Sequence, residues 1–154
     1  MSNLEQRFLG LEHQTISNDV IGLYDNALDN SEKLAGYAAD NNLKIIYPAD
    51  NELFIDMDSE QAHTLFLDQV EVLRQVTNVT HVNVYPSRSG LPNRHAIVTV
   101  RKPSCRLPKN RGVLIEMERL ALQTMLGSDR RCELLRYVRY CFKDPHPTLF
   151  LEKQ

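Results

Sequence analysis

The chain has 154 residues, 42% of them hydrophobic, with a net charge of −2, which suits one domain able to bury a sizeable core without disulfide or metal staples. Its three cysteines, Cys105, Cys132 and Cys141, are odd in number and lack C-x-x-C spacing, so neither a disulfide framework nor a structural zinc site is indicated. No segment approaches about eighteen apolar residues and the N-terminus carries acids, which argues against a membrane span or a signal peptide and for a soluble, intracellular, cytoplasmic protein.

In chain order, residues 16–41 carry Val20, Ile21, Leu23, Leu28, Leu34, Tyr37 and Ala38 at helical spacing, with a cap at Asn30 and Ser31, and predict an N-terminal helical layer. Residues 43–47 read as a strand, and Pro48 to Asn51 as a turn into a second strand over 52–58. Ser59 caps a helix that reaches about Val76, its apolar stripe built from Ala62, Leu65, Phe66, Val70, Leu73 and Val76. Two alternating strands follow, 81–85 and 94–102, joined by a loop rich in Pro, Gly and Asn. Beyond Pro103 to Pro108 the pattern predicts a helix from Gly112 to Leu126 stopped by Gly127. A second helix starts at Ser128 and Asp129 and ends near Phe142, and the last strand covers 148–152.

From residue 52 onward the order is β-α-β-β-α-α-β, that of ferredoxin-like or RRM-like α+β folds. The chain thus reads as a single domain over 1–154, an extension over 1–50 preceding a core over 51–154. Antiparallel sheets of this kind carry helices on one face only, so each strand should have an apolar and a polar side. Ile55, Met57, Val82, Val84, Ala96, Val98 and Val100 fall on the helix side. Phe54, Asp56, Asp58, His81, Asn83, Tyr85, His95, Phe150 and Glu152 fall on the other. In this fold the strand over 52–58 is expected to be central, with the last strand beside it, which leaves 43–47 without an obvious neighbour.

Two segments carry the chemistry. Asp56 and Asp58, two apart on a strand, project to one side and form an oxygen donor pair suited to Mg²⁺ or Mn²⁺. Asp is disfavoured in strands, so two of them among apolar residues call for a compensating cation, the alternative being a solvated strand edge. The loop Ser87, Arg88, Ser89, Gly90 offers hydroxyls, a guanidinium and a flexible glycine, and with Arg94 and His95 it forms a candidate phosphate grip, the alternative being an ordinary hairpin loop. Glu152 is the geometric choice for a third metal ligand. Asp129 is its competitor, though in Gly127-Ser128-Asp129 it also reads as a helix cap. His13, His63, His81 and His146 show no ligand spacing, and Arg130, Arg131, Arg136 and Arg139 divide between a solvated face and a template-strand contact. Residues 1–85 hold 4 Lys and Arg against 14 Asp and Glu, whereas residues 86–144 hold 13 against 5, so the second half suits an anionic partner.

The Phe54-Ile55-Asp56-Met57-Asp58 strand, followed by a hairpin with Ser87-Arg88-Ser89-Gly90 and a histidine, His95, entering the next strand, resembles the archaeo-eukaryotic primase superfamily, the primase-polymerases. The run from Glu118 to Glu152 is similar to small, phage-encoded members, so the likeness covers about residues 52–152. The resemblance implies an RRM-like catalytic core in which Asp56 and Asp58 hold Mg²⁺ or Mn²⁺ and His95 contacts the phosphates of an incoming nucleoside triphosphate, assisted by Ser87 and Ser89. It further implies nucleotide addition on a single-stranded DNA template in DNA replication, with a helicase or another replication-complex protein as partner, in a bacterial host if phage-encoded. The chain departs from the family pattern in lacking a zinc motif and in the longer stretch Leu91 to Arg94 before His95. The alternative is a catalytically degenerate module of the same fold that binds single-stranded nucleic acid or a replication partner. For bases it has only the aromatics Phe54, Tyr85 and Phe150. A metal-dependent nuclease or cyclase on the same scaffold is a third reading.

Overall fold

The computed structural model of the chain describes residues 31–101 and 114–154. The helix expected over 16–30, the cap at Asn30, and residues 102–113, with Lys102, Cys105 and the helix start at Gly112, lie outside them. The described residues form an α+β structure of four helices and two antiparallel sheets. In order these are α1 (Ser31–Asp40), β1 (Leu43–Ile46), β2 (Glu52–Met57), α2 (Glu60–Val76), β3 (Asn78–Pro86), β4 (Arg94–Arg101), α3 (Glu116–Met125), α4 (Arg130–Cys141) and β5 (Phe150–Lys153). No helix among them is long and apolar enough to cross a membrane.

The larger sheet has the order β2-β4-β3, with β4 in the middle. Its strands alternate as expected. Leu53, Ile55 and Met57 of β2 and Ala96, Val98 and Val100 of β4 are buried against Phe66, Val70 and Leu73 of α2, which recur one helical turn apart. Ser59 starts α2 by accepting the Ala62 amide on its hydroxyl at 3.0 Å.

The opposite face is where expectation and structure part. β5 does not join β2; it pairs antiparallel with β1, Ile46 opposite Phe150 and Lys44 opposite Glu152, so residues 43–46 find their partner in the last strand. β2 is therefore an edge strand, not a central one, yet every polar backbone group on its outer edge is satisfied. The Glu52 amide donates to Ala49 O at 3.0 Å, and Arg119 Nε donates to Glu52 O at 2.9 Å. Phe54 N–H donates to Gln123 Oε1 at 2.8 Å, while Phe54 O accepts from Arg136 Nη1 at 2.6 Å. Asp56 N–H donates to Ser128 Oγ at 3.0 Å, and Asp56 O accepts the Asp129 amide at 2.7 Å. Side chains and a loop amide from α3 and α4 thus take the hydrogen bonds that a fourth strand was expected to supply. Arg136 and Arg139, expected on a solvated or template-facing surface, are buried; Arg130 and Arg131 are exposed.

Candidate functional site

The antiparallel register sets Asp56 directly opposite His95, Tyr85 opposite His95 on the other side, and Met57 opposite Arg94. Asp56, His95 and Tyr85 consequently share the face that α2 does not cover, as the alternation predicts. His95 Nε2 lies 3.5 Å from Asp56 Oδ1, beyond a good hydrogen bond. β5 lies over this face and contributes two side chains. Phe150 stacks on the His95 ring at 3.7 Å between centroids and on Phe54 at 4.5 Å. Glu152 Oε1 lies 3.0 Å from His95 Nδ1 and accepts the Tyr85 hydroxyl at 2.8 Å. Glu152 therefore reaches the imidazole from the side opposite Asp56 rather than standing beside Asp56 and Asp58. Phe54 and Phe150, the aromatics expected to be free for bases, are buried against each other.

The turn after α3 brings the third acid to the site. Gly127, at φ +87°, closes α3 with the Gly127 amide on Thr124 O and the Ser128 amide on Gln123 O, the Schellman pattern for which a left-handed glycine is suited. The chain then reverses so that Ser128 and Asp129 meet Asp56. Asp129 caps α4 by accepting the Cys132 amide at 3.0 Å, as its place in the sequence suggests. Burial raises the Asp56 carboxyl above its ordinary value; His95 and Arg136 pull it back, and the charges of Asp129 and Asp58 push it further up. The charges of two further carboxylates, Asp129 and Asp58, thus act on Asp56, while Asp58 itself, just past the end of β2, is exposed.

The hairpin loop stands at the same end of the sheet. Its amides bond inward, Ser87 N to Asn93 O and Gly90 N to Ser87 O, with Gly90 at φ +78°. Arg88 and Ser89 are exposed. Arg94 falls on the opposite face of β4 from His95 and pairs with Glu60 at the start of α2, 3.0 Å away, so its guanidinium is engaged apart from the Asp56 and His95 face. Among the described residues no group of three or more His, Cys, Asp or Glu side chains is disposed to hold a metal ion by itself. Asp56, Asp58 and Asp129 carry hard oxygen donors, the ligand type that Mg²⁺ takes.

Sequence reasoning singles out Asp56, Asp58 and His95, and the structure sets Asp56 opposite His95, but it does not single out the buried polar residues packed around β2. Gln123, Ser128 and Glu133 are buried polar residues within helical patterns whose function shows only in three dimensions. Gln123 Nε2 donates to Glu133 Oε2 at 3.2 Å and Arg136 Nη1 to Glu133 Oε1 at 2.5 Å, a network running from α3 and α4 into β2. The one available signal was the polarity of Gln123, Glu133 and Arg136 beside the buried positions Leu120 and Val138. No protein-family model matches the chain, and neither does any curated protein or solved structure.

Proposed function

We propose that the chain is a metal-dependent nucleotidyltransferase of primase-polymerase type, built on an RRM-like core and acting on nucleoside triphosphates over a single-stranded DNA template in DNA replication. The observation that supports it most is the cross-strand placement of Asp56 opposite His95, with Asp58 at the end of the same strand beside the hairpin loop. In this reading Asp56 and Asp58 hold Mg²⁺ or Mn²⁺, which when bound aligns a 3′-hydroxyl with the triphosphate and offsets charge developing on the phosphates. His95 faces the triphosphate through Nε2, and Ser87, Arg88 and Ser89 add hydroxyl and guanidinium donors from the loop. Because Glu152 is engaged by His95 and Tyr85, Asp129 is the better source of a third oxygen. Arg94, held by Glu60, serves the fold in preference to the phosphates.

The test is the double variant Asp56→Asn, Asp58→Asn. It should abolish Mn²⁺-dependent binding of a nucleoside triphosphate and primer synthesis on a single-stranded template; undiminished binding and synthesis would refute the metal assignment. The absence of a ready three-carboxylate group among the described residues favours one second reading, a catalytically degenerate module of the same fold. That reading requires single-stranded DNA or protein binding by the wild type with no Mn²⁺ dependence.

A further inference from the structure

The two edges of the larger sheet are finished differently. Val100 N–H donates to Asn51 O and Ser87 N–H donates to Asn93 O, so the even-numbered residues of β4 turn their backbone bonds toward β2 and the odd-numbered ones toward β3. Asn83 and Tyr85, opposite Ile97 and His95, therefore bond to β4, and the amides and carbonyls of Val82 and Val84 point away from the sheet. β3 pairs with β4 alone, and among the described residues those outward groups have no hydrogen-bond partner. Both ends of the edge are closed. Past the irregularity between Val79 and His81, Val79 O accepts from Arg74 Nη1 at 3.3 Å, and Pro86 has no N–H to give. Asn78–Pro86 carries no charged residue, the usual guard of an exposed edge.

An exposed leucine stands beside this gap. Glu60 of α2 lies 3.0 Å from Arg94, itself opposite Pro86, and Arg74 reaches Val79, so α2 runs back along β3. Leu67 is seven residues from both Glu60 and Arg74, about 10 Å along the helix and on the same side of it, which sets it level with Asn83. It is 48% exposed.

We propose that the β3 edge is where two copies of this chain join, β3 against β3, antiparallel about a two-fold axis at Asn83. Val82-Asn83-Val84 reads the same in both directions, so Val82 exchanges both backbone bonds with the partner's Val84, and the symmetric pair repeats this across the axis. Asn83 faces the partner's Asn83 as a close ladder pair whose side-chain amides, each donor and acceptor, bond one another. No like charges meet along the strand. A foreign strand would satisfy the backbone alone, whereas a second copy also sets α2 beside α2 and takes both Leu67 side chains out of water. The two sheets become one, with both Asp56 and His95 faces on one side and both α2 helices on the other.

The test is sedimentation equilibrium of the full chain, with hydrogen exchange followed amide by amide by NMR. The wild type should dimerise, exchange at Val82 and Val84 slowing as concentration rises, while Asn83 and Tyr85 stay slow throughout. Asn83→Lys and Asn83→Glu each set like charges across the axis and should raise the dimer dissociation constant about a hundredfold. An equimolar mixture of the two should restore association as a mixed dimer. Slow exchange at Tyr85 in both variants shows that β3 keeps its place in the sheet. A chain that stays monomeric at millimolar concentration overturns the proposal, as does a dimer that neither variant weakens or a mixture no more associated than its components. Slow exchange at Val82 and Val84 in the monomer also overturns it, because another segment of the same chain then holds the edge.

Discussion

Gln123 Oε1 accepts the Phe54 amide at 2.8 Å, so a glutamine in the last turn of α3 helps complete the outer edge of β2. Gln123 is fully buried, and its Nε2 continues to Glu133, which is itself held by Arg136. The strand that carries Asp56 is therefore braced by side chains of α3 and α4 instead of a neighbouring strand. That arrangement leaves no exposed ladder for another chain to add to at this edge.

Replacing Gln123 by Ala leaves the Phe54 amide buried without an acceptor and removes a donor from Glu133. Glu133 keeps Arg136, so the Phe54 amide is the group left unsatisfied, and Gln123→Ala should lower stability by about 1–3 kcal/mol. Urea unfolding checks it. The midpoint should fall with the slope unchanged. A shift below the error of the extrapolation would mean that water replaces the amide without loss.

How much of this was legible in the sequence follows from which forces act locally. Alternation in β2 and β4, the Ser59 cap, the α2 stripe and the Gly127 stop are set by neighbours within a few residues, and the structure has them where the pattern places them. Asp56 and His95 were assigned to one face by counting, and register alone then sets them opposite each other. The position of β5 was not legible. Its four residues carry no local signal for their partner, and in the structure the edge of β2 is filled by groups distant in sequence, Gln123, Ser128 and Arg136. For the same reason Glu152 was expected beside the two aspartates and is found across the imidazole from Asp56.

Gly127 couples the end of α3 to the site. Its φ of +87° disfavours any residue with a Cβ, and a Cβ built there meets Leu65 Cδ2 at 3.4 Å, an ordinary contact. Backbone strain, not crowding, sets the cost of Gly127→Ala, about 1–2 kcal/mol. Because the same turn delivers Ser128 and Asp129 to Asp56, the variant should also weaken Mn²⁺ binding more than its thermal shift alone explains. Isothermal titration beside thermal unfolding separates the two, and an unchanged metal affinity would show that the turn relaxes without moving Asp129.

Cys132 illustrates how burial silences a thiol. Desolvation pushes it up to about 12; Arg136 and Arg139 oppose this, and Asp56 and Glu133 add to it. Cys141 is exposed. In mildly alkaline iodoacetamide, Cys132 should be alkylated on the order of a thousandfold more slowly than an ordinary thiol, since only the thiolate reacts. Mass spectrometry of the separate peptides reads this out. Comparable labelling of Cys132 and Cys141 in the folded protein would show that the helix opens readily around Asp56.

Asp56 itself should be a stability cost that a cation relieves. Its folded carboxyl titrates above the unfolded value near 3.8, chiefly through burial, with the charges of Asp129 and Asp58 in support. Between those two values the folded state binds more protons than the unfolded state, so stability falls as pH rises through the folded value. Asp56→Asn removes that penalty. In chelator-treated buffer at neutral pH it should melt at a higher temperature than the wild type, and the gap should close as pH falls toward the ordinary carboxylate range. Adding Mn²⁺ should reverse the order. A cation at about a hundred times its dissociation constant contributes about 2.7 kcal/mol, which raises the wild-type melting temperature by roughly 5–10 °C and leaves Asp56→Asn nearly unmoved. Should the variant melt lower than the wild type in chelator, the attraction of His95 and Arg136 would outweigh burial at this carboxylate. Asp56 would then be a structural partner of His95 in the metal-free fold.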